Sequence, residues 1–375
     1  MARRCVTGFL LLLTTLALFC GCALRKSSDI NSYNQYGTTG PQKIGVVLSA
    51  PEKADSDLEA AITASVNKVA PGFGAESRTL KPGDLVNDQE SLRYLAENGY
   101  DLIISIGQFM VRDVSKAAGE FPEVKFAVFN GELDLPNVTS IKFNAEETAF
   151  LAGVEAALLT KSNLVGFVGG VKSSDGEMEK GFIEGVQYIN LATDKNVKIN
   201  VNYAGETAAA AKDPAQGYAL ANNLYWSGCD VVFSGAGKLG SGSAKAAGEN
   251  KKIVIVNDPT LLTMMPWNVY GVVVNKPDVV VSDLLKKTLG GKFVGGFNVY
   301  GVAEGAVDLI TGQLVPPEIT SQIIDIKNRL KNGQIKPYRV KIRNDMVNQL
   351  RQMPVDWGKP TGNAGVSSSA TNGVQ

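Results

Sequence analysis

The sequence predicts an α/β protein with two doubly wound parallel sheets, each at the core of its own lobe. Three observations lead to this fold class. The chain has 375 residues, which is enough for two medium-sized domains. Short apolar runs rich in Val and Ile alternate with segments of helical periodicity. The strand-like runs are continuously apolar, which is typical of parallel sheets that helices cover on both faces.

The first 22 residues are predicted to be a lipoprotein signal peptide. Arg3 and Arg4 form a basic start, an almost unbroken apolar run extends from Val6 to Phe19, and Cys20-Gly-Cys22 follows. This is the pattern of a secretory signal, and the run is shorter than the about 20 apolar residues that a transmembrane helix needs. The ending resembles a lipobox, so Cys22 is the expected lipidation site and Cys20 the weaker candidate.

The protein is therefore expected to be exported and anchored to a bacterial membrane by lipid, on its periplasmic or extracellular face. The alternative is a plain secretory signal that leaves Cys22 as a free thiol. Residues 23–42 are polar, aperiodic and rich in Ser, Asn and Gly, as expected of a flexible tether, and the fold is predicted to start at Lys43.

Strand and helix predictions alternate from there onward. The predicted strands are Ile44–Leu48, Leu102–Ile106, Phe126–Phe129, Val165–Val168, Val231–Phe233 and Ile253–Val256. The predicted helices, which carry apolar residues three and four apart, are Asp57–Lys68, Met110–Ala118, Ala145–Thr160, Glu177–Tyr188, Ala215–Tyr225, Ser241–Gly248 and Asp278–Lys287.

Two sets of strand-helix units are visible, and they define the predicted domains. The N-terminal lobe comprises residues 43–144 plus 274–294, and the C-terminal lobe comprises 145–273 plus 295–340. Residues 353–375 are rich in Ser, Gly and Ala and are predicted to be disordered. In doubly wound sheets, ligands bind outside the carboxyl ends of the strands. The loops after the strands are therefore expected to line a cleft between the lobes.

The composition excludes several function classes. Lys plus Arg number 37 against 37 for Asp plus Glu, so no net field attracts nucleic acid or acidic lipid. Histidine is absent, which excludes histidine-based nucleophile activation and histidine metal sites. No metal or cofactor is predicted. Cys229 is the one cysteine in the predicted folded part and is expected to be a buried small hydrophobe, so that part cannot form a disulfide.

Several motifs follow one another in a familiar order. In the first lobe they are Asp101-Leu-Ile-Ile-Ser-Ile-Gly107-Gln-Phe109, Glu123-Val-Lys-Phe-Ala-Val-Phe-Asn130 and Glu147-Thr-Ala-Phe-Leu-Ala-Gly153. Val165-Gly-Phe-Val-Gly-Gly170, Lys180-Gly-Phe-Ile-Glu-Gly185 and Gly235-Ala-Gly-Lys-Leu-Gly-Ser-Gly242 continue the series. From about Lys43 to Pro337 the chain resembles the basic membrane protein family of bacterial lipoproteins, whose relatives include purine nucleoside receptors of ABC importers.

This resemblance implies a type I periplasmic binding protein fold with three crossovers between the lobes. It also implies a small-molecule ligand, for which a nucleoside is one candidate, and ABC permease and ATPase partners. Glycine allows close backbone approach to a ligand at strand ends and helix starts. Gly107, Gly170 and Gly237 are therefore candidate ligand-contacting residues; the alternative for each is a tight turn without ligand contact.

The chain departs from the nucleoside-binding relatives at two aromatic positions. Relatives carry an acidic segment after the first strand, with a phenylalanine that stacks on the purine. Here Asp55 matches an acidic position, Leu58 stands at the phenylalanine position and Glu59 at an asparagine position. Met178 stands at the second aromatic position. Base stacking contributes about 1 to 3 kcal/mol, so the sequence supports the scaffold better than a purine ligand.

Four further ligand-binding candidates come from the resemblance. Asn130 replaces an aspartate, and Asp258 matches an aspartate that binds ribose hydroxyls; its alternative is a helix N-cap before Pro259. Lys276, or its neighbour Asn275, matches a lysine of the family. Phe109 either faces the cleft or belongs to the core.

Two other functions compete with solute binding for import. Carboxylate pairs such as Asp55/Asp57, Glu146/Glu147 and Glu177/Glu179 are of the kind glycosidases use, but scattered acidic pairs are ordinary in a chain with 37 acidic residues, and no enzyme activity is predicted. The stronger alternative is a surface lipoprotein of the same fold that has lost solute binding and serves adhesion or sensing.

Overall fold

The computed structural model describes residues 41–50, 56–207 and 209–337. The chain divides into two compact units. The first unit comprises Met1–Ser140 and Val281–Gly296, and the second comprises Ile141–Val280 and Phe297–Gln375. The chain thus passes from one unit to the other three times. Strands β1 to β12 and helices α1 to α10 are numbered along the chain.

A six-stranded sheet contains the strands of the first unit. Its strands are β1 (Gln42–Val47), β2 (Ala75–Leu80), β3 (Leu102–Ile106), β4 (Lys125–Phe129), β5 (Val138–Phe143) and β11 (Gly296–Tyr300). The chain passes between the units within β5 and at the start of β11, so the ends of these two strands are assigned to the second unit. Their spatial order is β11-β5-β4-β3-β1-β2, and β1 pairs in parallel with β2 and β3, as β3 does with β4. The helices of this part are α1 (Ser56–Val69), α2 (Asp88–Glu97) and α3 (Val111–Glu120).

Every residue of β3 is buried, because helices cover both faces of the sheet, as the continuously apolar pattern predicted. Leu92 and Leu95 of α2 and Val114 of α3 pack with Ile103 and Phe126 on one of these faces. The core of the first unit is built from this layer of helices against the inner strands.

The second unit contains another six-stranded sheet, with spatial order β12-β10-β9-β8-β6-β7. Its strands are β6 (Leu164–Val171), β7 (Lys198–Gly205), β8 (Val231–Ser234), β9 (Ile253–Val256), β10 (Val269–Asn275) and β12 (Val307–Thr311). Pairing is parallel from β7 through β10, but β12 is antiparallel to β10. The sheet is therefore mixed at one edge, where the sequence predicted a wholly parallel one.

In the part of the chain that the structure describes, seven further helices follow α3. They are α4 (Ala145–Leu159), α5 (Lys172–Thr193), α6 (Pro214–Trp226), α7 (Leu239–Asn250), α8 (Thr260–Met264), α9 (Pro277–Leu289) and α10 (Pro317–Lys331). Within the described ranges, none of the helices has both the length and the apolar composition needed to cross a membrane.

Glycines allow two helix pairs of the second unit to approach closely. A Cβ at Gly153 or Gly185 would overlap backbone atoms across the contact between α4 and α5, and one at Gly242 would overlap Pro214 across the contact between α6 and α7. Such contacts require glycine because any side chain would separate the backbones. Gly153, Gly185 and Gly242 of the quoted motifs therefore serve helix packing.

The predicted fold class is confirmed: two sheets, mostly parallel, alternate with helices. Each of the six predicted strands and seven predicted helices is present, with ends shifted by a few residues. Cys229 is buried and free, as predicted. In both sheets the chain order reverses between two inner strands, β1 and β3 in the first and β6 and β8 in the second. Ligands of doubly wound sheets bind at such switch points.

Candidate functional site

The loop after β3 lies at the switch point of the first sheet and contains Gly107. This residue has φ +98°. Its N–H donates to the carbonyl of Phe129 (2.7 Å), and its carbonyl accepts from the N–H of Met110 (3.1 Å). A Cβ at Gly107 would meet no atom within 4 Å, so the left-handed backbone rather than crowding favours glycine. The turn accounts for this glycine, and ligand contact remains a prediction.

The loops after β3 and β4 are joined by a side chain. Gln108 Oε1 accepts from the N–H of Glu132 (3.2 Å). Asn130 directly follows β4, is exposed and has φ +52°. Asparagine tolerates this conformation better than most residues. Phe109 is 68% exposed, so its side chain does not belong to the core of the described residues. Asn130 and Phe109 therefore both present side chains at the carboxyl edge of the first sheet.

The loop after β1 is held by Glu59. Its Oε1 accepts from the N–H of Ser49 (2.9 Å), and the residue is 6% exposed. This contact gives Glu59 a structural role in shaping the loop, and solute contact by its carboxylate remains a prediction. Leu58 is half-buried on α1. Asp55 lies outside the described residues, as does Cys22.

Three residues meet at the carboxyl edge of the second sheet. Asn257, which follows β9, donates from Nδ2 to the carbonyl of Gly235 (3.1 Å), which follows β8. A Cβ at Gly235 would lie 2.9 Å from Cε of Met178 on α5, so the thioether methyl of Met178 packs against this glycine. The structure thus brings the predicted residue Met178 together with the ends of β8 and β9.

Asp258 has the capping role, one of the two that the sequence left open, and contact with sugar hydroxyls stays a prediction. Its Oδ1 accepts from the N–H of Thr260 (2.9 Å) and from Thr260 Oγ1 (2.7 Å), which caps the first turn of α8. The residue is half-buried. Oδ2 accepts no hydrogen bond from any residue that the structure describes, so one oxygen of the carboxylate stays free to accept two hydroxyl protons.

The other glycine candidates of the second sheet differ in exposure. Gly170 is buried near the end of strand β6. Gly237, which follows β8, is exposed and has φ +44°. Lys238, which precedes α7, is exposed beside Gly237. The positive φ alone accounts for glycine at position 237, and contact of either glycine with a solute remains a prediction.

Lys276 directly follows β10 and belongs to an ion-pair network. Its Nζ lies 2.6 Å from Asp308 Oδ2, and Lys327 Nζ lies 2.7 Å from Asp308 Oδ1. Burial acts to raise the pKa of Asp308, but the hydrogen bonds from the two lysines outweigh it and hold that pKa below its ordinary value. The Lys276 side chain is 41% exposed, so it can still reach a solute while paired with Asp308.

Two of the acidic pairs considered for catalysis, Glu146/Glu147 and Glu177/Glu179, form hydrogen bonds or ion pairs with other residues. Glu147 Oε2 accepts from the N–H of Val302 (2.8 Å), and Glu179 Oε2 accepts from Tyr203 (2.5 Å). Lys180 and Lys142 pair with Glu146 and Glu177. No group of three or more metal-binding side chains occurs in the described ranges.

Sequence reasoning missed the part that Gly235 and Asn257 play in joining β8 to β9. Both residues were within quoted segments, and their position directly after buried runs was the available signal. The link between them depends on side-chain orientation, which spacing along the sequence does not give.

Comparison with known proteins identifies relatives over most of the chain. The family model described as ABC transporter substrate-binding protein PnrA-like matches residues 45–341. A protein of Listeria innocua named CD4+ T-cell-stimulating antigen is 31% identical over 82% of this chain and 84% of its own length. A protein of Lactococcus lactis named ABC transporter nucleoside-binding protein BmpA is 29% identical over 89% of this chain and 99% of its own.

Solved structures share the fold at lower sequence identity. A transcriptional activator of the comK gene from Bacillus halodurans superposes with a TM-score of 0.68 and 20% identity, covering 79% of this chain and 99% of that one. An ABC transporter solute-binding protein from Conexibacter woesei gives a TM-score of 0.62 and 19% identity, covering 79% and 98%.

Proposed function

The chain belongs to the PnrA-like family of ABC transporter substrate-binding proteins, and we propose that it is a lipid-anchored receptor that binds a nucleoside for import. In this proposal Cys22 carries the lipid, and the protein acts outside the cytoplasmic membrane. An ABC permease and an ATPase complete the importer. The role is solute binding without catalysis.

The observation that carries the nucleoside assignment is the carboxylate of Asp258. It lies at the end of an inner strand, half-buried, with Oδ1 fixed by Thr260 and Oδ2 free of described partners. A fixed carboxylate with a free oxygen suits a sugar hydroxyl pair, because such an oxygen accepts up to two hydrogen bonds. The name of the Lactococcus lactis relative, a nucleoside-binding protein, supports the same ligand class.

The residues at the two positions where the relatives carry aromatic rings predict weak recognition of the base. Met178 packs on Gly235 and Leu58 is half-buried on α1, and neither offers an aromatic ring. A thioether can still pack against a flat ring. Loss of two stacking rings, each worth about 1 to 3 kcal/mol, predicts that affinity depends more on the sugar than on the base.

A second candidate function rests on these same two positions. If Leu58 and Met178 leave no usable site for a base, the protein is a surface lipoprotein of this fold that has lost solute binding and serves adhesion or sensing. The two functions differ in whether any small polar solute stabilises the folded protein.

The test is a thermal-shift screen of the chain from Ala23 onward, which keeps every described element. Nucleosides, free bases, free pentoses and amino acids are compared. A ligand at about a hundredfold excess over its Kd stabilises the folded state by about 2.7 kcal/mol. We expect nucleosides and not free bases to raise the melting temperature. A shift with another class alone would replace the ligand, and silence with all four classes would favour the non-transport function.

A further inference from the structure

The amino-terminal edge of the second sheet has an unusual combination of side chains. Because β7, β6, β8, β9 and β10 are parallel, the loops that precede them meet at one edge. Trp226 precedes β8 and Trp267 precedes β10, and each is 75% exposed. These are the tryptophans of the described ranges, so both lie at this edge.

Hydrogen bonds join the loops of this edge into a continuous surface. The N–H of Lys198 donates to Asn163 (2.9 Å), and the N–H of Ile253 donates to Asp230 (3.1 Å). The N–H of Val254 donates to the carbonyl of Asn268 (2.9 Å). The chain before each strand is thereby tied to the chain before its neighbour, from β7 across to β10.

This edge is positively charged, although the whole chain carries no net charge. The segments 160–164, 194–198, 226–230, 250–253 and 265–269 contain five lysines and two aspartates. Lys161, Lys198 and Lys251 are exposed. Asp230 is occupied, because its carboxylate accepts from Thr160 Oγ1 (2.5 Å) and from the N–H groups of Lys161 (2.7 Å) and Ser162 (2.9 Å).

We propose that this amino-edge surface, formed by Lys161, Lys198, Trp226, Lys251, Lys252 and Trp267, docks on the surface of an anionic lipid bilayer. Tryptophan is enriched where one side of its ring meets apolar chains and the other meets water. Lysines beside it are attracted to anionic headgroups. Exposed indole rings among exposed lysines fit this combined environment. The docking is separate from solute binding and from the lipid at Cys22.

The test uses the chain from Ala23 onward, so that no acyl chain contributes to binding. Its co-sedimentation with vesicles of phosphatidylglycerol and phosphatidylcholine is compared with its co-sedimentation with phosphatidylcholine alone. We expect binding to the anionic vesicles and loss of that binding at about 1 M salt, where screening extends over only about 3 Å. Equal binding to both vesicle types, or binding to neither, would refute the proposal.

Two sets of variants locate the surface. Replacing Lys251 and Lys252 with Gln should weaken partitioning about thirtyfold, since each lysine near an anionic surface contributes about fivefold. Trp226→Ser and Trp267→Ser should each weaken it about tenfold. Because these side chains are exposed or at a loop, circular dichroism and melting temperature should stay unchanged.

Matched controls lie elsewhere on the chain. Lys331→Gln with Lys336→Gln removes two exposed cations near the end of α10, and Val86→Ser removes a side chain that is 90% exposed. Both controls should bind anionic vesicles as the parent chain does. If the controls lose as much binding as the amino-edge variants, the attraction is not specific to this surface and the proposal fails.

Discussion

Two Asp-Pro steps in the second unit show how position decides what a carboxylate can do. Asp213 and Asp258 each precede a proline and accept a hydrogen bond at 2.9 Å from the residue two positions on. Asp213 is exposed and lies in the segment of chain that follows the edge strand β7. Asp258 is half-buried after the inner strand β9 and beside Asn257. The cap is common to both, and only Asp258 lies within the candidate site.

We expect Asp258→Ala to lower nucleoside affinity at least tenfold, because a hydroxyl pair loses its charged acceptor. It should also cost about 1 kcal/mol of stability, because the cap of α8 is lost. Asp213→Ala should cost a similar amount of stability and leave affinity unchanged. Calorimetric titration with the nucleoside that gives the largest thermal shift measures the first effect. Equal affinities for Asp258→Ala and the parent chain would reduce Asp258 to a cap.

Glu155 is a glutamate whose side chain is fully buried. It lies in α4 at 0% exposed, both carboxyl oxygens lack hydrogen bonds to described residues, and a Cβ at Gly271 would overlap Oε2. Burial raises the pKa of Glu155 well above its ordinary value, and Lys327 offsets only part of this. The folded protein therefore holds Glu155 protonated at pH values where the unfolded chain ionises it.

This pKa shift has a definite sign for stability. Since the folded state binds the proton more tightly, stability should fall as pH rises from the ordinary glutamate pKa towards the raised one, by about 1.4 kcal/mol per pH unit. Glu155→Gln should remove that slope and stabilise the protein at neutral pH. Urea unfolding between pH 5 and pH 8 measures both. An unchanged slope in the variant would show that Glu155 ionises in the folded protein.

A matched variant of opposite sign is Asp230→Asn. Burial acts to raise the pKa of Asp230, but hydrogen bonds from Thr160, Lys161 and Ser162 outweigh it and lower the pKa below its ordinary value. The stability that Asp230 provides is present above the ordinary aspartate pKa and is lost as pH falls through the lowered one. Its replacement should therefore destabilise at neutral pH and flatten the acid side of the curve.

At the scale of secondary-structure elements, glycines decide how closely helices of the second unit pack. Gly185 of α5 lies against the backbone of Phe150 in α4, where any Cβ would overlap the carbonyl oxygen. In contrast, a Cβ at Gly119, in the last turn of α3, would meet no atom within 4 Å. The two positions are both helical, and they differ in what an added methyl group would contact.

Gly185→Ala should therefore destabilise the protein by about 1 to 3 kcal/mol, because the helices must separate. Gly119→Ala should stabilise it by up to about 1 kcal/mol, because alanine loses less backbone entropy in a helix. Thermal unfolding measures both changes. If the two variants shifted the melting temperature in the same direction, close approach would not be the reason for glycine at position 185.

The strands of the two sheets were not equally visible in the sequence, and the strands that were predicted share apolar continuity as their signal. Leu102–Ile106 and Ile253–Val256 are nearly pure runs of buried residues, and they were assigned correctly. The edge strands β2 and β7 were missed, because only one or two of their residues are buried. Their polar residues obscure the apolar pattern from which a strand is predicted. The strands β5, β10, β11 and β12 were not predicted either, although β5 and β10 are inner strands. The antiparallel direction of β12 was not predictable, since strand direction depends on pairing and not on composition.

The candidate site was predictable only as a set of loops. Strand ends located Gly107, Asn130 and Asp258, because parallel strands place all their following loops at one edge. The contact of Glu59 with the backbone of Ser49 was not predictable, because a buried glutamate next to a strand end has the same sequence signal as a ligand-binding one.

At the scale of the whole molecule, the net charge of the chain does not attract the protein to a membrane. Lysine plus arginine equal aspartate plus glutamate at 37 each, so the net electrostatic attraction to anionic lipid is small, and any attraction is local to surfaces such as the amino edge of the second sheet. Lasting retention requires covalent lipid, because two or more acyl chains anchor a protein stably while one binds only marginally. Residues 1–40 would provide that anchor, and they lie outside the described residues.

Cys22→Ser should therefore move the protein from the membrane fraction to the soluble fraction after a wash at about 1 M salt, which removes docking that depends on charge. Cys20→Ser is the matched control and should stay with the membrane, because Cys20 belongs to the predicted signal peptide. Immunoblots of washed membranes and mass spectrometry of the amino-terminal peptide measure retention and lipid together. Retention of the Cys22 variant with release of the Cys20 variant would move the anchor to Cys20, and retention of both would mean that another attachment holds the protein.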